Sequence, residues 1–466
     1  MTDPSHQNLH TPDTGPAAVD RRSFLRAAGA TGLGLALGSS GLGAAALNAT
    51  RWDPRALPGR SRRPIDTVRI GMVGVGHQGT GHVRNFLRIP NVEIRAICDI
   101  VPEHADRSRR LVEEAGFEPP RVYTGEEDYL RMAAEEDLDL VFTATPWKLH
   151  HPVMKAALEH GKHTATEVPM GVSLEECWEL VELSESTGLE CIMMENCCYD
   201  RTEMMILNMV RQGVFGDLLH AECGYLHDLR ELKLTDYYVD RWRVDHSVRR
   251  DGDLYPTHGI GPVAQWFDIN RGNQFDYLVS MGSPSMGLQR WAEEHIGPDS
   301  MEARRGYRLS DVVNTLIKTK RGETILITHD TNTPRPYTRK VLLQGTNGLV
   351  RKYPEQRIHI EGTSPAHRWE DALDYRAEYE HPIWKALEEE SAGAGHGGMD
   401  YIEDFRLIQC LRSGEPMDFD VYDGAAWTAV IMLSEQSIAA RSEPQPFPDF
   451  TRGAWRSREP LGIVEI

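Results

Sequence analysis

Short apolar runs begin at Val68, and their spacing predicts the architecture. Val68-Arg-Ile-Gly-Met-Val73 reads as a buried strand that breaks at glycines into a helical segment, and Val92-Glu-Ile-Arg-Ala-Ile-Cys98 reads as a second strand. A helical pattern over 102–115 follows, then an apolar run at 138–146 that ends in small residues, like a parallel strand buried on both faces. Helix 151–160, strand 162–169 and a helix opened by the capping box Ser173-Leu-Glu-Glu176 and stopped at Gly188 continue the alternation, and strand 189–195 closes it. Strands alternating with helices at this interval predict a doubly wound parallel sheet over residues 66–195. Beyond Asn196 the period changes. One helix at 203–212 is followed by alternating runs at 218–226, 307–318, 324–330 and 340–344, the pattern of antiparallel strands with one face covered. The expected fold is therefore α/β plus α+β, in which an open, mainly antiparallel sheet over 196–466 forms one wall of a cleft. The glycine cluster Gly393-Ala-Gly-His-Gly-Gly398 reads as a loop capping a helix at 399–413.

Length and composition add a leader to this picture. At 466 residues the chain exceeds one ordinary core. Its first fifty residues carry Asp20-Arg21-Arg22-Ser23-Phe24-Leu25 and then a Gly/Ala/Leu run from Ala27 to Leu47, which looks like a twin-arginine export signal with small residues at Ala44 to Ala46 for cleavage. Export by that machinery to the periplasm, cell surface or medium is the expectation. Basic residues number 51 against 70 acidic ones, and the net charge of −19 disfavours nucleic acid and anionic membrane as partners. Seven cysteines without paired spacing argue against a complete disulfide set. The open sheet face makes a homodimer plausible.

The glycines after the first strand carry the first recognisable chemistry. In Gly74-x-Gly76-x-x-Gly79, Gly74 permits a tight turn, Gly76 lets the backbone approach a pyrophosphate, and Gly79 lets helix and strand close together. Twenty positions beyond Gly79, Asp99 ends the second strand where a carboxylate takes the adenosine ribose hydroxyls, which favours NAD over NADP. The second domain clusters polar aromatics, histidines and arginines: Tyr199 with Arg201, Tyr225 with His227 and Arg230, Tyr255 with His258, and Arg335 with Tyr337. Aromatic faces stack on sugar C–H faces and the polar groups bond ring hydroxyls, so these clusters suit a sugar. His227, Asp228 and His258 offer metal-ligand types but no fixed ligand spacing, and no metal is expected. No carboxylate pair is singled out for the common two-carboxylate glycosidase chemistry.

Gly74 to Gly79, Asp99, Glu167-Val-Pro169 and the domain order resemble the oxidoreductase superfamily of glucose–fructose oxidoreductase and inositol dehydrogenase. Those dehydrogenases carry Glu-Lys-Pro and a later Asp-x-x-x-His; here Val168 stands for the lysine, and Thr257 and Gly261 fill the other two positions. The departures look like glycoside hydrolase family 109, the NAD-dependent α-N-acetylgalactosaminidases. The stretches that carry this likeness are Ala144-Thr-Pro-Trp147-Lys-Leu-His150, Glu195-Asn-Cys-Cys-Tyr199, His227-Asp-Leu-Arg230, Gly252-Asp-Leu-Tyr255-Pro-Thr-His258-Gly-Ile-Gly-Pro262, Asn270-Arg-Gly272 and His396-Gly-Gly-Met-Asp400. The resemblance implies that NAD meets His77, Gln78, Asp99, Trp147, Lys148, Leu149, His150, Glu167, Val168 and Asn196. It implies that substrate meets Tyr225, Arg243, Tyr255, Pro256, Thr257, His258 and Tyr337. It further implies transient oxidation at sugar C3, loss of the C2 proton, expulsion of the C1 aglycone, water addition and re-reduction. Tyr199 is the expected C2 base, which requires its phenol pKa to be lowered, and His258 the group for the C3 hydroxyl proton, with exchange of the two roles open. The alternative is an exported sugar oxidoreductase of the same fold with net redox turnover.

Overall fold

The computed structural model describes residues 63–466. The twin-arginine segment expected near Arg21 and Arg22 lies outside the described residues. The first sheet contains β1 (Val68–Val73), β2 (Val92–Cys98), β3 (Arg121–Tyr123), β4 (Leu140–Thr143), β5 (His163–Glu167) and β6 (Cys191–Met194), all parallel, in the order β3-β2-β1-β4-β5-β6. This is the doubly wound order, and its strand ends face a crevice where the order reverses between β1 and β4. Five helices join the strands: α1 (His77–Phe86), α2 (Pro102–Glu114), α3 (Asp128–Glu135), α4 (His150–Glu159) and α5 (Leu174–Thr187). The start of α5 uses half of the expected capping box. Ser173 accepts from the Glu176 amide at 3.2 Å, whereas the Glu176 carboxylate accepts from Val172 at 2.6 Å and not from the cap residue. Gly188, at φ +70°, ends the helix in the left-handed conformation that glycine adopts without strain.

From α6 (Arg201–Arg211) the chain enters a nine-stranded sheet: β7 (Leu218–Leu226), β8 (Phe275–Gly282), β9 (Val313–Thr319), β10 (Thr324–Asp330), β11 (Leu342–Gly345), β12 (Gly348–Arg351), β13 (Arg357–Ile360), β14 (Glu370–Asp371) and β15 (Gln445–Pro446). The order is β14-β13-β12-β11-β7-β10-β9-β8-β15, antiparallel except where β10 runs parallel to β7. Between β7 and β8 lie α7 (Trp242–Arg249) and α8 (Thr257–Trp266). Before β15 come α9 (Met399–Ser413) and α10 (Val421–Ala439). One face of the sheet lies on α8 and α10, and the other leaves Tyr277, Met281 and Leu316 exposed.

Two returning helices join the sheets. α9 packs on α1 and β1, while α10 packs on α5 and β6 on one side and on β8 on the other. Most of α10 is buried all round, so its sequence has no polar stripe to show. Its start is anchored by a buried ion pair: Arg271 donates to both Asp423 oxygens at 2.9 and 2.7 Å, and Asn270 to the first at 3.1 Å. The Asn270-Arg-Gly272 stretch is thus part of the scaffold.

Candidate active site

The glycine turn after β1 has the geometry of a dinucleotide cradle. Gly74 has φ +76°, and a Cβ there would meet the Thr145 amide nitrogen at 2.9 Å; one on Gly79 would lie 2.0 Å from the Gly74 carbonyl oxygen. Gly76 differs. A Cβ on it would meet nothing of the protein closer than His104 at 3.7 Å, so its open side is space for a ligand. Asp99 stands at the end of β2, its carboxylate accepting from the Val75 amide and the Val101 amide, both at 2.8 Å. Arg107, which sequence reading missed, donates to the carbonyls of Val75 and Gly76 at 2.8 and 3.1 Å and stiffens the same turn. His77 stacks on Tyr237 with centroids 4.4 Å apart, which brings a second-domain loop over the start of α1. These residues fit an NAD pyrophosphate and ribose: free backbone donors at a helix start, room at Gly76 and a carboxylate at the ribose position.

Glu167 ends β5 at the bottom of the crevice. Its Oε1 accepts from His82 Nε2 at 2.9 Å and from Gln78 at 3.4 Å, and His82 Nδ1 donates to Asp404 on α9, also at 2.9 Å. Burial works to raise the Glu167 pKa, but the hydrogen bond and charge of His82 hold it at about 2. Burial works against the charged imidazole of His82 too, and Asp404 followed by Glu167 keeps it well above its ordinary value. Asp404, His82 and Glu167 therefore form a hydrogen-bonded chain from the core to the cofactor side. Neither His82 nor Asp404 stood out in the sequence, because 322 positions separate them.

The linkage has a definite sign. The folded pKa of Glu167 lies below its ordinary 4.5, so the stability it contributes is complete above about pH 5 and is lost as pH falls towards 2. The melting-temperature gap between the wild type and Glu167→Gln is expected to narrow between pH 5 and pH 3. A gap that stays constant with pH would remove this assignment.

The remaining cofactor-side expectations divide. Trp147 is buried with its ring stacked on Tyr255, Lys148 is exposed, Leu149 is half-buried, and Val168 is buried beside Glu167. Asn196 donates to Asp400 at 2.7 Å, and Asp400 in turn holds His396 at 2.8 Å. His150 is buried, its ring nitrogens facing the carbonyls of Pro169 and Thr145 at 2.6 and 2.7 Å, so its ring braces two loops.

On the second-domain side, α8 and β7 bring His258, Tyr225 and Tyr255 together. His258 Nδ1 bonds Glu195 Oε1 at 2.7 Å, and its ring lies 5.4 Å from Tyr225 and 4.8 Å from Tyr255. Glu195 is fully buried at the end of the segment after β6. A Cβ at Gly261 would sit 2.8 Å from Glu195 Cγ, so the glycine at the dehydrogenase-histidine position makes room for this carboxylate. Tyr225 donates its hydroxyl to His227 Nδ1 at 2.9 Å, and Tyr337, 40% exposed, stands edge-on to both rings. Burial first, then the Arg243 charge, lowers the His227 pKa and keeps this imidazole a neutral acceptor, whereas burial pushes the Tyr225 phenol up to about 12. Arg243 lies 5.2 to 5.4 Å from the ring centres of Trp147, Tyr238, Trp242 and Tyr255.

One expectation changes here. Tyr199 is turned away into the core: its hydroxyl donates to Asp418 at 2.9 Å, Asp418 is paired with Arg406, and burial followed by the Asp418 charge drives the phenol pKa well up instead of down. That is the opposite of what a base requires. Pro256 and Thr257 are buried at the start of α8. Of the residues of metal-ligand type, Asp228 is committed to Arg230 at 2.8 Å and His227 to Tyr225. Glu195, Cys197 and His258 do place ligand atoms within 4.8 Å of one another. Arg339 lies 2.8 Å from that Cys197 sulfur, however, and burial holds the thiol protonated, a setting that opposes a further cation.

Comparison with known proteins agrees with this geometry. Residues 68–195 match the family described as "Oxidoreductase family, NAD-binding Rossmann fold", and residues 199–457 match "Glycosyl hydrolase 109, C-terminal domain". A glycosyl hydrolase family 109 protein of Shewanella amazonensis is 46% identical over 96% of this chain and 100% of its own length; one of Shewanella pealeana is 44% identical over 96% and 99%. Among solved structures, levoglucosan dehydrogenase in complex with NADH and levoglucosan aligns with a TM-score of 0.64 at 20% identity, covering 82% of this chain and all of that one. Scyllo-inositol dehydrogenase from Lactobacillus casei aligns at 0.58 and 17%, covering 82% and 99%. The structural likeness gives the fold, and the sequence likeness spans both domains: the chain belongs to glycosyl hydrolase family 109, as an NAD-dependent glycosidase built on an oxidoreductase fold.

Proposed function

We propose that this glycosidase hydrolyses terminal α-N-acetylgalactosaminides or related hexosaminides, with oxidation at sugar C3 that is reversed within each turnover. The observation that carries the reading is the His258–Glu195 pair, packed beside Gly261 at the position where the related dehydrogenases are expected to keep their histidine, while Val168 leaves their lysine position without an amine. NAD, held by the turn at Gly74–Gly79 with Asp99 and Glu167, supplies a reversible hydride acceptor for C3. His258 takes the C3 hydroxyl proton, its Nδ1–H fixed on buried Glu195 so that Nε2 is the basic atom. With C3 at the ketone level the C2 proton is acidic. Tyr225 receives it while passing its own hydroxyl proton to neutral His227 Nδ1, which replaces Tyr199 in that role. Loss of the C2 proton expels the C1 aglycone, water adds at C1 with its released proton balancing the aglycone anion, and C2 and the C3 oxygen are reprotonated through the same groups after these have exchanged with solvent. Trp147, Tyr255 and Tyr337 supply apolar faces for the ring, and Arg243 a fixed cation beside it.

The test is cleavage of α- and β-linked aryl hexosaminides by protein purified with its NAD, in deuterated solvent. Aglycone release with deuterium at C2 and no net NADH is expected, and Tyr225→Phe should lower C2 exchange by about 10²-fold or more. Net NADH accumulating with sugar oxidation would instead favour an oxidoreductase. Wild-type C2 exchange in Tyr225→Phe would reject the tyrosine as base.

A further inference from the structure

The segment between Leu234 and Val244 leaves the second domain and returns to almost the same place. Leu234 and Val244 are buried in one apolar cluster with Leu288, Ala292 and Ala303, and Lys233 ties the departing end to Thr331 at 2.7 Å and to Asn332 at 2.8 Å. None of residues 235–243 is buried. They reach the first domain instead. Tyr237 lies flat on His77, with centroids 4.4 Å apart and planes 9° from parallel, and its carbonyl oxygen is 3.1 Å from His77 Nε2. Tyr238 meets the same imidazole edge-on at 6.4 Å and contacts Trp242 at 5.3 Å, and Trp242 packs edge-on against Trp147, also at 5.3 Å. His77 belongs to the glycine turn after β1, and Trp147 follows β4; between these two strands the sheet order reverses. A single stretch of chain therefore touches both lips of the crevice that takes a dinucleotide in this fold.

The stretch is built to come loose at one lip. Its hold on His77 is one stack and one hydrogen bond, and Tyr237 is 46% exposed. At its other end Asp240 and Arg241 both sit in the left-handed region, with φ +56° and +49°, which costs free energy for residues with a side chain. Arg241 is kept there by ion pairs with Asp236 at 2.9 Å and with Glu302 at 2.8 Å. The walls of the crevice yield less readily, because α10 packs on β6 of one sheet and β8 of the other. We propose that residues 235–241 are a strap across bound NAD, latched by Tyr237 on His77, and that the cofactor enters and leaves when this latch opens. The latch is a contact of protein with protein, so it closes with or without a ligand. This goes beyond the glycosidase reading: it rests on the NAD crevice and not on which sugar is cleaved.

The test measures cofactor exchange and not turnover. Protein loaded with NADH is chased with excess NAD to give the release rate from the fall in NADH fluorescence, and rapid mixing of apoprotein with NADH gives the association rate. In Tyr237→Ala both rates are expected to rise by about three- to tenfold, the factor that corresponds to losing one aromatic stack. Tyr237→Phe keeps the ring and should stay within about twofold of wild type in both. A side chain that merely touched NAD would speed release and leave association as it was, whereas a latch must open for passage in either direction. Wild-type release from Tyr237→Ala, faster release with unchanged association, or a Tyr237→Phe protein as fast as Tyr237→Ala would each overturn the assignment.

Discussion

His258→Ala is expected to lose about 10²- to 10⁴-fold in kcat while keeping its bound dinucleotide, because it removes the imidazole at the sugar and leaves the glycine cradle untouched. The ring is oriented by one strong contact, the 2.7 Å bond from Nδ1 to a carboxylate with no solvent exposure. Glu195→Gln should therefore reproduce part of the loss. The amide keeps the volume that packs against Gly261, but it replaces an anion that fixes the tautomer by a neutral group. Turnover of an aryl hexosaminide and the NAD content of the purified protein check the prediction together. A His258→Ala enzyme with wild-type kcat would remove the histidine from the chemistry, and one that had lost its NAD would show that it acts on cofactor binding instead.

Two neighbouring glycines should fail in different ways. Gly79→Ala places a methyl carbon 2.0 Å from the Gly74 carbonyl oxygen, a backbone atom and not the end of a flexible side chain. A loss of about 3 kcal/mol or more is expected, together with loss of bound NAD, since the turn itself must open. Gly76→Ala meets protein no closer than 3.7 Å, so the apo variant should melt closer to wild type than Gly79→Ala. Its methyl group instead occupies the space a pyrophosphate needs, and the expected defect is confined to NAD binding. Denaturation of the apo proteins, followed by titration with NAD, separates the two cases. Equal stability losses in both variants would show that Gly76 serves the turn and not the ligand.

This contrast also shows why parts of the molecule could be read from its sequence. The cradle is local: three glycines within six positions and an acid at the end of the next strand, each placed by backbone geometry that only certain residues permit. Helices such as α5 announced themselves through Ser173 and Gly188. The three-residue strand β3 is too short to show a period, and α10 is apolar nearly all round, so neither gave a pattern. The pairings at the candidate site were hidden for another reason. His258 meets Glu195 across 63 positions and His82 meets Asp404 across 322, distances over which no spacing rule operates. Tyr199 was misplaced because it follows Asn196 closely in the chain. The short 3-10 turn Asn196–Tyr199 lets those two side chains take different directions, one bonding Asp400 and the other reaching Asp418.

The helix that lies between the two sheets bears on how substrate arrives. A rod shared by both halves, clamped at its start by Arg271 and embedded along its length, couples them mechanically, so the halves cannot swing apart without breaking the spine itself. On the proposed function, access of a sugar to the crevice is then expected to depend on loops such as the one that rests Tyr237 on His77. Selection by such an enzyme falls on what fits through the doorway and not on which guest can pull the walls shut.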